Sequence, residues 1–128
     1  MGIFKKEFKI CCPIEGKVSP LEYCPDEVFS KGMTGEGVVI FPTGNIVYAP
    51  YDCKVEFIFE AKHAIALKGS GIECLIHVGL DTNTLKGRGF KVFVEAGKNV
   101  KQGDKLIEFD TMILKKYHCI DATPFVFT

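Results

Sequence analysis

Brief apolar segments, each closed by turn residues, recur along this sequence and limit its fold more than any other feature. The turns fall at residues 42–45, 49–52, 69–71, 87–89 and 102–104. They are rich in Gly, Pro, Asn and Asp, which favour tight turns through backbone geometry and local hydrogen bonds. This rhythm predicts an all-β fold, an antiparallel sandwich or barrel with short helical turns and few long helices.

The predicted strands are the apolar segments between these turns. They span residues 37–41, 46–48, 54–59, 63–68, 72–78, 90–94 and 105–109. Short helical turns are expected at 25–29, where Pro25 suits the first helical position, and at 112–116. A chain of 128 residues suits a single domain with one continuous core. A frayed first strand is expected in residues 1–6.

The segment between His63 and His77 is predicted to be a β-hairpin, because two apolar runs flank Gly69-Ser70-Gly71. The glycines supply the positive backbone angles that a three-residue turn requires. If Lys68 pairs with Ile72, then His63 pairs with His77. Directly opposed residues of an antiparallel pair have Cβ atoms ~5 Å apart. The sequence therefore predicts two imidazole rings side by side.

Two opposed histidines suggest phosphoryl chemistry. A neutral imidazole, of pKa ~6.5, has one unprotonated nitrogen that can accept a phosphoryl group reversibly while a neighbouring ring stabilises the charge. The same register sets Ile65 opposite Leu75, so the rings would lie beside an apolar surface. Zinc is the competing use of the pair, but a catalytic zinc usually has three protein ligands, and Asp81 is the nearest candidate third. His118, in a polar stretch, is assigned no role.

Composition excludes several classes of function. Sixteen basic residues balance sixteen acidic ones, so no excess positive charge attracts nucleic acid or an anionic membrane. The apolar runs fall far short of the ~20 residues that span a bilayer, and no cleavage site follows a signal-like core, so a cytoplasmic protein without stable membrane insertion is expected. The six cysteines include no C-x-x-C pair and are expected to be reduced thiols in the core or on the surface.

Both histidines lie in distinctive surroundings. The segments are KHAI at 62–65, GIECLIHVGLDT at 71–82 and LKGRGF at 85–90. In these segments the sequence resembles the glucose-class enzyme IIA family of the bacterial phosphoenolpyruvate:sugar phosphotransferase system, and further similarity extends over nearly the whole chain. The resemblance implies the duplicated hybrid motif of glucose permease IIA in one domain, residues 1–128. This domain would lack the last strands of the usual family domain, which would leave the final apolar strand with an exposed edge.

The resemblance also implies a function. His77 would accept a phosphoryl group from the phosphohistidine of HPr and donate it to the enzyme IIB domain of a sugar permease, while His63 stabilises the transfer. The Gly79 carbonyl would orient the His77 ring. Family analogy places the partner-docking face on these residues: Asp26, Val28, Phe29, Phe59, Leu75 and Asp81. No cofactor is required, although His63 and His77 could share a zinc ion with a partner.

The same residues have simpler interpretations, and some depart from the family pattern. Without the resemblance, the apolar docking residues would be core residues, and Asp26 and Asp81 would be turn or cap residues. Ala61 stands where the family usually has threonine, so a hydroxyl of the phosphate network is missing. Glu27, Thr34 and Asn83 make the docking face more polar than usual.

Three other functions remain open. A regulatory module would dock the same face onto transporters or metabolic enzymes with weak or no phosphotransfer, which Ala61 would favour. A biotinyl or lipoyl carrier is suggested by residues 95–106, which resemble the hammerhead turn of such domains, but no Met-Lys-Met or Asp-Lys-Ala hairpin presents a lysine. A zinc peptidase of related fold would need a His-x-His segment, which the sequence lacks.

Overall fold

The computed structural model describes residues 9–128, which form ten strands and two short α-helices. The strands are β1 (Gly16–Pro20), β2 (Glu36–Pro42), β3 (Ile46–Tyr48), β4 (Cys53–Ile58), β5 (Ala64–Gly69), β6 (Ile72–His77), β7 (Phe90–Val92), β8 (Asn99–Val100), β9 (Lys105–Phe109) and β10 (Thr123–Phe127). The helices are α1 (Glu27–Ser30) and α2 (Thr111–Lys116), and single 3₁₀ turns cover Leu21–Tyr23 and Thr82–Leu85. The predicted all-β class is confirmed; the strand expected in residues 1–6 lies outside the described residues.

All strand pairs of the described chain are antiparallel and form two sheets. The larger sheet has seven strands in the order β1-β2-β10-β6-β5-β4-β8, and the smaller has three in the order β3-β9-β7. Ile40, Ile76 and Phe125 of the larger sheet share a core cluster with Val47 and Ile107 of the smaller. The two sheets therefore pack as a sandwich around the main core.

The centre of the larger sheet is buried on its other face as well. Consecutive residues of β2, Val39 and Ile40, are both completely buried, as is Val126 of β10. Side chains alternate between the faces of a strand, so one of each neighbouring pair enters a second cluster. We call it the α1 cluster: Leu21, Cys24, Phe29, Val39, Leu80, Ala122 and Val126, with Phe41 and Leu75 packed against it. Helix α1 therefore covers the outer face of the sheet at its centre.

Strand boundaries agree closely with the sequence-based expectations, but three strands were not predicted. β3 and β9 have the expected limits, and the 112–116 helix begins one residue earlier, at Thr111. The three unpredicted strands are β1, β8 and β10. β8 has only two residues, and β10 contains Pro124, which normally counts against a central strand. Pairing of β10 with β6 begins only at Phe125, so Pro124 lies outside that ladder.

Two expectations about local structure are wrong. β10 pairs with β2 on one side and β6 on the other, so the final apolar strand is central in the sheet and has no exposed edge. Helix α1 begins at Glu27 rather than at Pro25. Asp26 is its N-cap and accepts a hydrogen bond from the Val28 amide at 2.9 Å, which satisfies a donor that would otherwise be unpaired.

The hairpin between β5 and β6 has a register one residue away from the predicted one. Its turn contains two residues, Ser70 and Gly71, with φ angles of 51° and 77°. Positive φ at both positions is the type I′ geometry, whose backbone twist matches that of the flanking strands. Gly69 consequently stays in β5 and pairs with Ile72.

This shift changes every opposed pair of the hairpin. His77 pairs with Ala64 rather than with His63. Ile65 pairs with Ile76 in the main core, whereas Leu75 pairs with Ala66 on the outer face. The predicted pairing of Ile65 with Leu75 is therefore wrong, but Leu75 and His77 do share the outer face, on which the α1 cluster lies.

The cysteines and helices agree with the remaining expectations. All six cysteines are free thiols, three of them buried: Cys24, Cys53 and Cys74. None of the helices in residues 9–128 is long and apolar enough to cross a membrane.

Candidate functional site

The two histidine rings lie in contact although their backbones are not opposed. Their centroids are 4.7 Å apart and their planes meet at 83°. His77 ends β6, and His63 lies just before β5, after Lys62 with its positive φ of 64°. The Val78 amide donates to the His63 carbonyl at 2.7 Å and ties the two segments together. The predicted proximity of the rings is confirmed, although not through direct pairing: His63 precedes β5, so its ring is not held to the alternation of the strand and can reach the face of His77.

Aromatic side chains flank both rings. The Phe29 ring lies 5.1 Å from the His77 ring, and the Phe59 ring lies 5.6 Å from the His63 ring. Phe57, more than half exposed, stacks edgewise on Phe59 at 5.2 Å. His63 is only 4% exposed, whereas His77 is half-buried. The surroundings are apolar, as expected, and His77 is the ring that a partner molecule can reach.

A hydrogen bond fixes the protonation of the His77 ring. Its Nδ1 lies 2.7 Å from the Gly79 carbonyl oxygen. A carbonyl oxygen can only accept, so Nδ1 must carry the hydrogen. In the neutral ring, Nε2 then holds the lone pair and is the nucleophilic atom.

Gly79 can place its carbonyl there because it has no side chain. Its φ is 74°, in the left-handed region that glycine enters without steric cost. A Cβ atom at this position would lie 2.6 Å from Cγ2 of Thr82 and 2.8 Å from the Ile120 carbonyl oxygen. Both distances are too short for a real contact, so the bend after β6 requires glycine.

Burial controls the charge of both rings. It lowers the pKa of His63 to about 4, and the adjacent His77 adds to this shift. Burial also lowers the pKa of His77, while its hydrogen bond to Gly79 and the charges of Asp26 and Asp81 act in the opposite direction. Both rings are therefore neutral at pH 7, the form in which an imidazole is a nucleophile.

His63 has one nitrogen without a partner among the described residues. Its Nδ1 is buried and makes no hydrogen bond within residues 9–128. Ala61, two residues earlier, has no hydroxyl to offer. Unpaired buried N–H groups are rarer than unpaired acceptors, so this setting favours the tautomer of His63 with its proton on Nε2.

The proposed docking residues surround this pair with different degrees of exposure. Phe29 is 7% exposed and belongs to the α1 cluster, so for this residue the core interpretation and the contact with His77 both hold. Val28, beside it, is 47% exposed and is not a core residue. Phe59 and Leu75 are half-buried, and Leu75 lies on the same face of β6 as His77.

Two carboxylates lie near the pair. Asp26 is the N-cap of α1, in agreement with its simpler interpretation as a cap residue. Asp81 has a left-handed backbone, with φ of 60°. Both charges raise the pKa of His77, which places them within electrostatic range of the ring. The site therefore has an apolar centre and acidic groups beside it.

A metal ion would find only two protein ligands here. Within residues 9–128, no group of three or more His, Cys, Asp or Glu side chains is arranged to hold one. Zinc on His63 and His77 would thus need further ligands from another molecule.

Thr82 and Ile120, which lie against Gly79, were not predicted as part of the site. Thr82 lies five residues after the end of β6, and its hydroxyl indicates a nearby acceptor only once its burial is known. Ile120 contributes only a backbone carbonyl from a distant part of the chain, and no residue type signals such a contact.

Comparisons with known proteins point in one direction. Residues 8–128 match the family described as phosphoenolpyruvate-dependent sugar phosphotransferase system, EIIA 1. Among solved structures, the chain is similar to glucose permease IIA from Mycoplasma capricolum, with 38% sequence identity and a TM-score of 0.89. That match covers 99% of this chain and 83% of the other. The two proteins share the antiparallel β-sandwich.

The burial of the rings predicts a pH dependence. The unfolded chain protonates His63 below pH ~6.5, whereas the folded protein does so only below about 4. Between these values the unfolded state binds more protons, so the free energy of unfolding should fall as the pH is lowered. In His63→Gln the free energy of unfolding should fall less steeply over the same pH range.

Imidazole NMR titration measures the two pKa values directly. The His63 midpoint should lie near 4 and the His77 midpoint below ~6.5. A His63 midpoint at the ordinary value would show that burial does not lower its pKa.

Alanine at Gly79 should cost far more stability than alanine at Gly71. Both glycines have a left-handed backbone, with φ of 74° and 77°. A Cβ on Gly71 has no atom within 4 Å, so Gly71→Ala should lose only the backbone preference, about 1 kcal/mol. Gly79→Ala adds two clashes. Urea unfolding of both variants measures the difference, and equal losses would show that the bend does not need glycine for steric reasons.

Proposed function

Since this chain belongs to the EIIA 1 family of the phosphoenolpyruvate-dependent sugar phosphotransferase system, we propose that His77 accepts a phosphoryl group from phospho-HPr and donates it to an enzyme IIB domain of a sugar permease. Membership makes the protein a phosphocarrier component of that system. The observation that supports His77 as the carrier is its Nδ1 hydrogen bond to Gly79, which leaves Nε2 free on the more exposed ring of a neutral histidine pair.

In the proposed reaction, the lone pair of Nε2 attacks phosphorus. The bond from phosphorus to the donor nitrogen breaks as the bond to Nε2 forms, and the proton on Nδ1 stays in place. The His77 ring then formally carries a positive charge. Gly79, whose carbonyl accepts from Nδ1, and the carboxylates of Asp26 and Asp81 stabilise that charge.

His63 is proposed to stabilise the opposite charge, that on the phosphoryl oxygens. With Nδ1 buried and unpaired among the described residues, its proton lies on Nε2, from which it can donate to a phosphoryl oxygen on His77. Its low pKa keeps it a neutral donor. Phosphoryl transfer needs alignment and charge stabilisation more than covalent help, so two fixed rings are sufficient.

The proposed partners dock on the apolar surface around the rings. Val28, Phe29 and Phe59 supply the apolar contact, and Leu75 supports it from β6. Asp26 and Asp81 add negative charge, which favours partners with basic groups around their own reactive residue. Regulated transporters or metabolic enzymes could use the same face, and zinc shared between this pair and a partner side chain would fit the two imidazoles.

Phosphorylation by phosphoenolpyruvate, enzyme I and HPr tests the acceptor. The wild-type protein should gain one acid-labile phosphoryl group, measured by intact mass. His77→Ala should gain none, because the nucleophilic nitrogen is gone. His118→Asn is the matched control, since it removes the exposed third histidine and asparagine tolerates its left-handed backbone; it should be labelled like the wild type.

The result separates the competing functions. Labelling of His77→Ala would mean that another residue is the acceptor. His63→Gln should accept or donate the group more slowly, and normal donation by this variant to a IIB domain would remove the stabilising role. A wild-type protein that binds HPr but gains no phosphoryl group would favour the regulatory module instead.

A hydroxyl at residue 61 should accelerate transfer. Ala61→Thr supplies a hydroxyl two residues before His63, whose buried Nδ1 has no partner among the described residues. The expected gain in the rate of donation to IIB is about 2- to 10-fold, the worth of one buried hydrogen bond. Ala61→Val has the same shape without the hydroxyl and should show no gain. Equal rates for both variants would contradict a role for the hydroxyl.

A further inference from the structure

The carbonyl that orients His77 belongs to a peptide plane held at its opposite edge. The trans peptide is planar, and its C=O and N–H groups point in opposite directions. In the plane between Gly79 and Leu80, the carbonyl accepts from His77, and the Leu80 amide donates to the Ile120 carbonyl at 2.8 Å. This plane is therefore fixed from both sides, against the segment that leads into β10.

The preceding plane, between Val78 and Gly79, is held by a side chain. The Thr82 hydroxyl donates to the Val78 carbonyl at 2.6 Å, and Thr82 is completely buried. Glycine at the junction between the two planes can rotate more freely than any other residue. Because glycine alone does not fix its own angles, the direction of the Gly79 carbonyl depends on the bonds that hold the planes on either side.

Thr82 contacts this junction with both branches of its side chain. Its hydroxyl binds the Val78 carbonyl, while its Cγ2 methyl closes the space beside the α-carbon of Gly79. Val78 also donates its amide to the His63 carbonyl. The hydroxyl of Thr82 thus acts on a residue whose backbone also connects the segments of both histidines.

Packing alone would not select threonine at this place. Valine has nearly the same shape, and a completely buried hydroxyl is costly unless it makes a hydrogen bond. We propose that Thr82 is a positioning residue: through Val78 and Gly79 it fixes the His77 ring with Nε2 as the free nitrogen. The proposal rests on the proposed phosphocarrier function of His77, but the orientation of the ring can be measured without phosphorylation.

Two substitutions test the hydroxyl and the methyl group of Thr82 one at a time. Thr82→Val keeps the methyl and loses the hydroxyl, whereas Thr82→Ser keeps the hydroxyl and loses the methyl. Tyr51→Phe is the control, because it removes a hydroxyl that donates at 2.9 Å to the Ile72 carbonyl at the other end of β6. All three variants lose stability, so stability alone cannot reveal positioning.

The readouts are the ¹⁵N chemical shifts of the His77 imidazole and the rate of phosphoryl uptake from phospho-HPr. In the wild type, Nε2 should show the shift of an unprotonated nitrogen. Thr82→Val should move the ring toward a mixture of tautomers and slow uptake by about 2- to 10-fold, the loss expected for one buried hydrogen bond. Thr82→Ser should restore both values, and Tyr51→Phe should change neither.

Two results would overturn the proposal. One is an unchanged His77 tautomer in folded Thr82→Val. The other is an equal change of tautomer in Tyr51→Phe, which would show a general effect of lost stability. Failure of the wild type to take up phosphoryl would refute the carrier function instead, and the tautomer measurements would still decide the role of Thr82 by themselves.

Discussion

The burial of the larger sheet on both faces at its centre is the constraint on which the rest of the structure depends. Neighbouring residues of β2 and β10, such as Val39 with Ile40 and Phe125 with Val126, point to opposite faces and are nearly all inaccessible. One face needs the smaller sheet to cover it, and the other needs α1 and the chain around Leu80 and Ala122. Each fully buried side chain of this size contributes about 1.5–3 kcal/mol. Neither cover can therefore be lost without exposing the centre.

The histidine pair lies beside the α1 cluster, which covers the outer face of the sheet. Leu75 and His77 of β6 lie on the outer face of the larger sheet, where the α1 cluster would otherwise be exposed to solvent. Phe29 belongs to that cluster and also lies against the His77 ring, so the packing that stabilises the sheet also shields the ring from water. The lowered pKa of His77 follows from that packing. The stability of the sheet and the pKa of His77 thus depend on the same packing.

The sequence was sufficient for the class of fold, since turn residues and apolar runs carry strong local signals. The rings do lie in contact, but that contact was predicted from a strand register that is wrong by one residue. β10 was missed because Pro124 suggests an edge or a loop, and only its long-range pairing with β2 and β6 shows otherwise. The sequence could not distinguish a three-residue turn from the type I′ turn of Ser70 and Gly71, because the glycines suit either. A slip of one residue exchanges the faces of opposed side chains, so the predicted partner of Ile65 was wrong. The His63 ring still reaches His77 despite this slip, because His63 precedes β5 and its ring is not held to the alternation of the strand.

A phosphoryl carrier must release the group as readily as it accepts it, and the charges around His77, the proposed acceptor, would suit that requirement. A cationic neighbour would hold the phosphoryl group strongly, and uniform stabilisation of bound group and transition state alike would raise affinity without speeding release. Burial keeps His63 neutral, so it can offer a hydrogen bond without a full charge. The carboxylates of Asp26 and Asp81 favour positive charge on the His77 ring but would repel the oxygens of a phosphoryl group bound there. On the proposed carrier, these opposing effects would limit how tightly the phosphoryl group is held. A lysine in place of His63 would therefore be expected to trap the phosphoryl group rather than to improve the carrier.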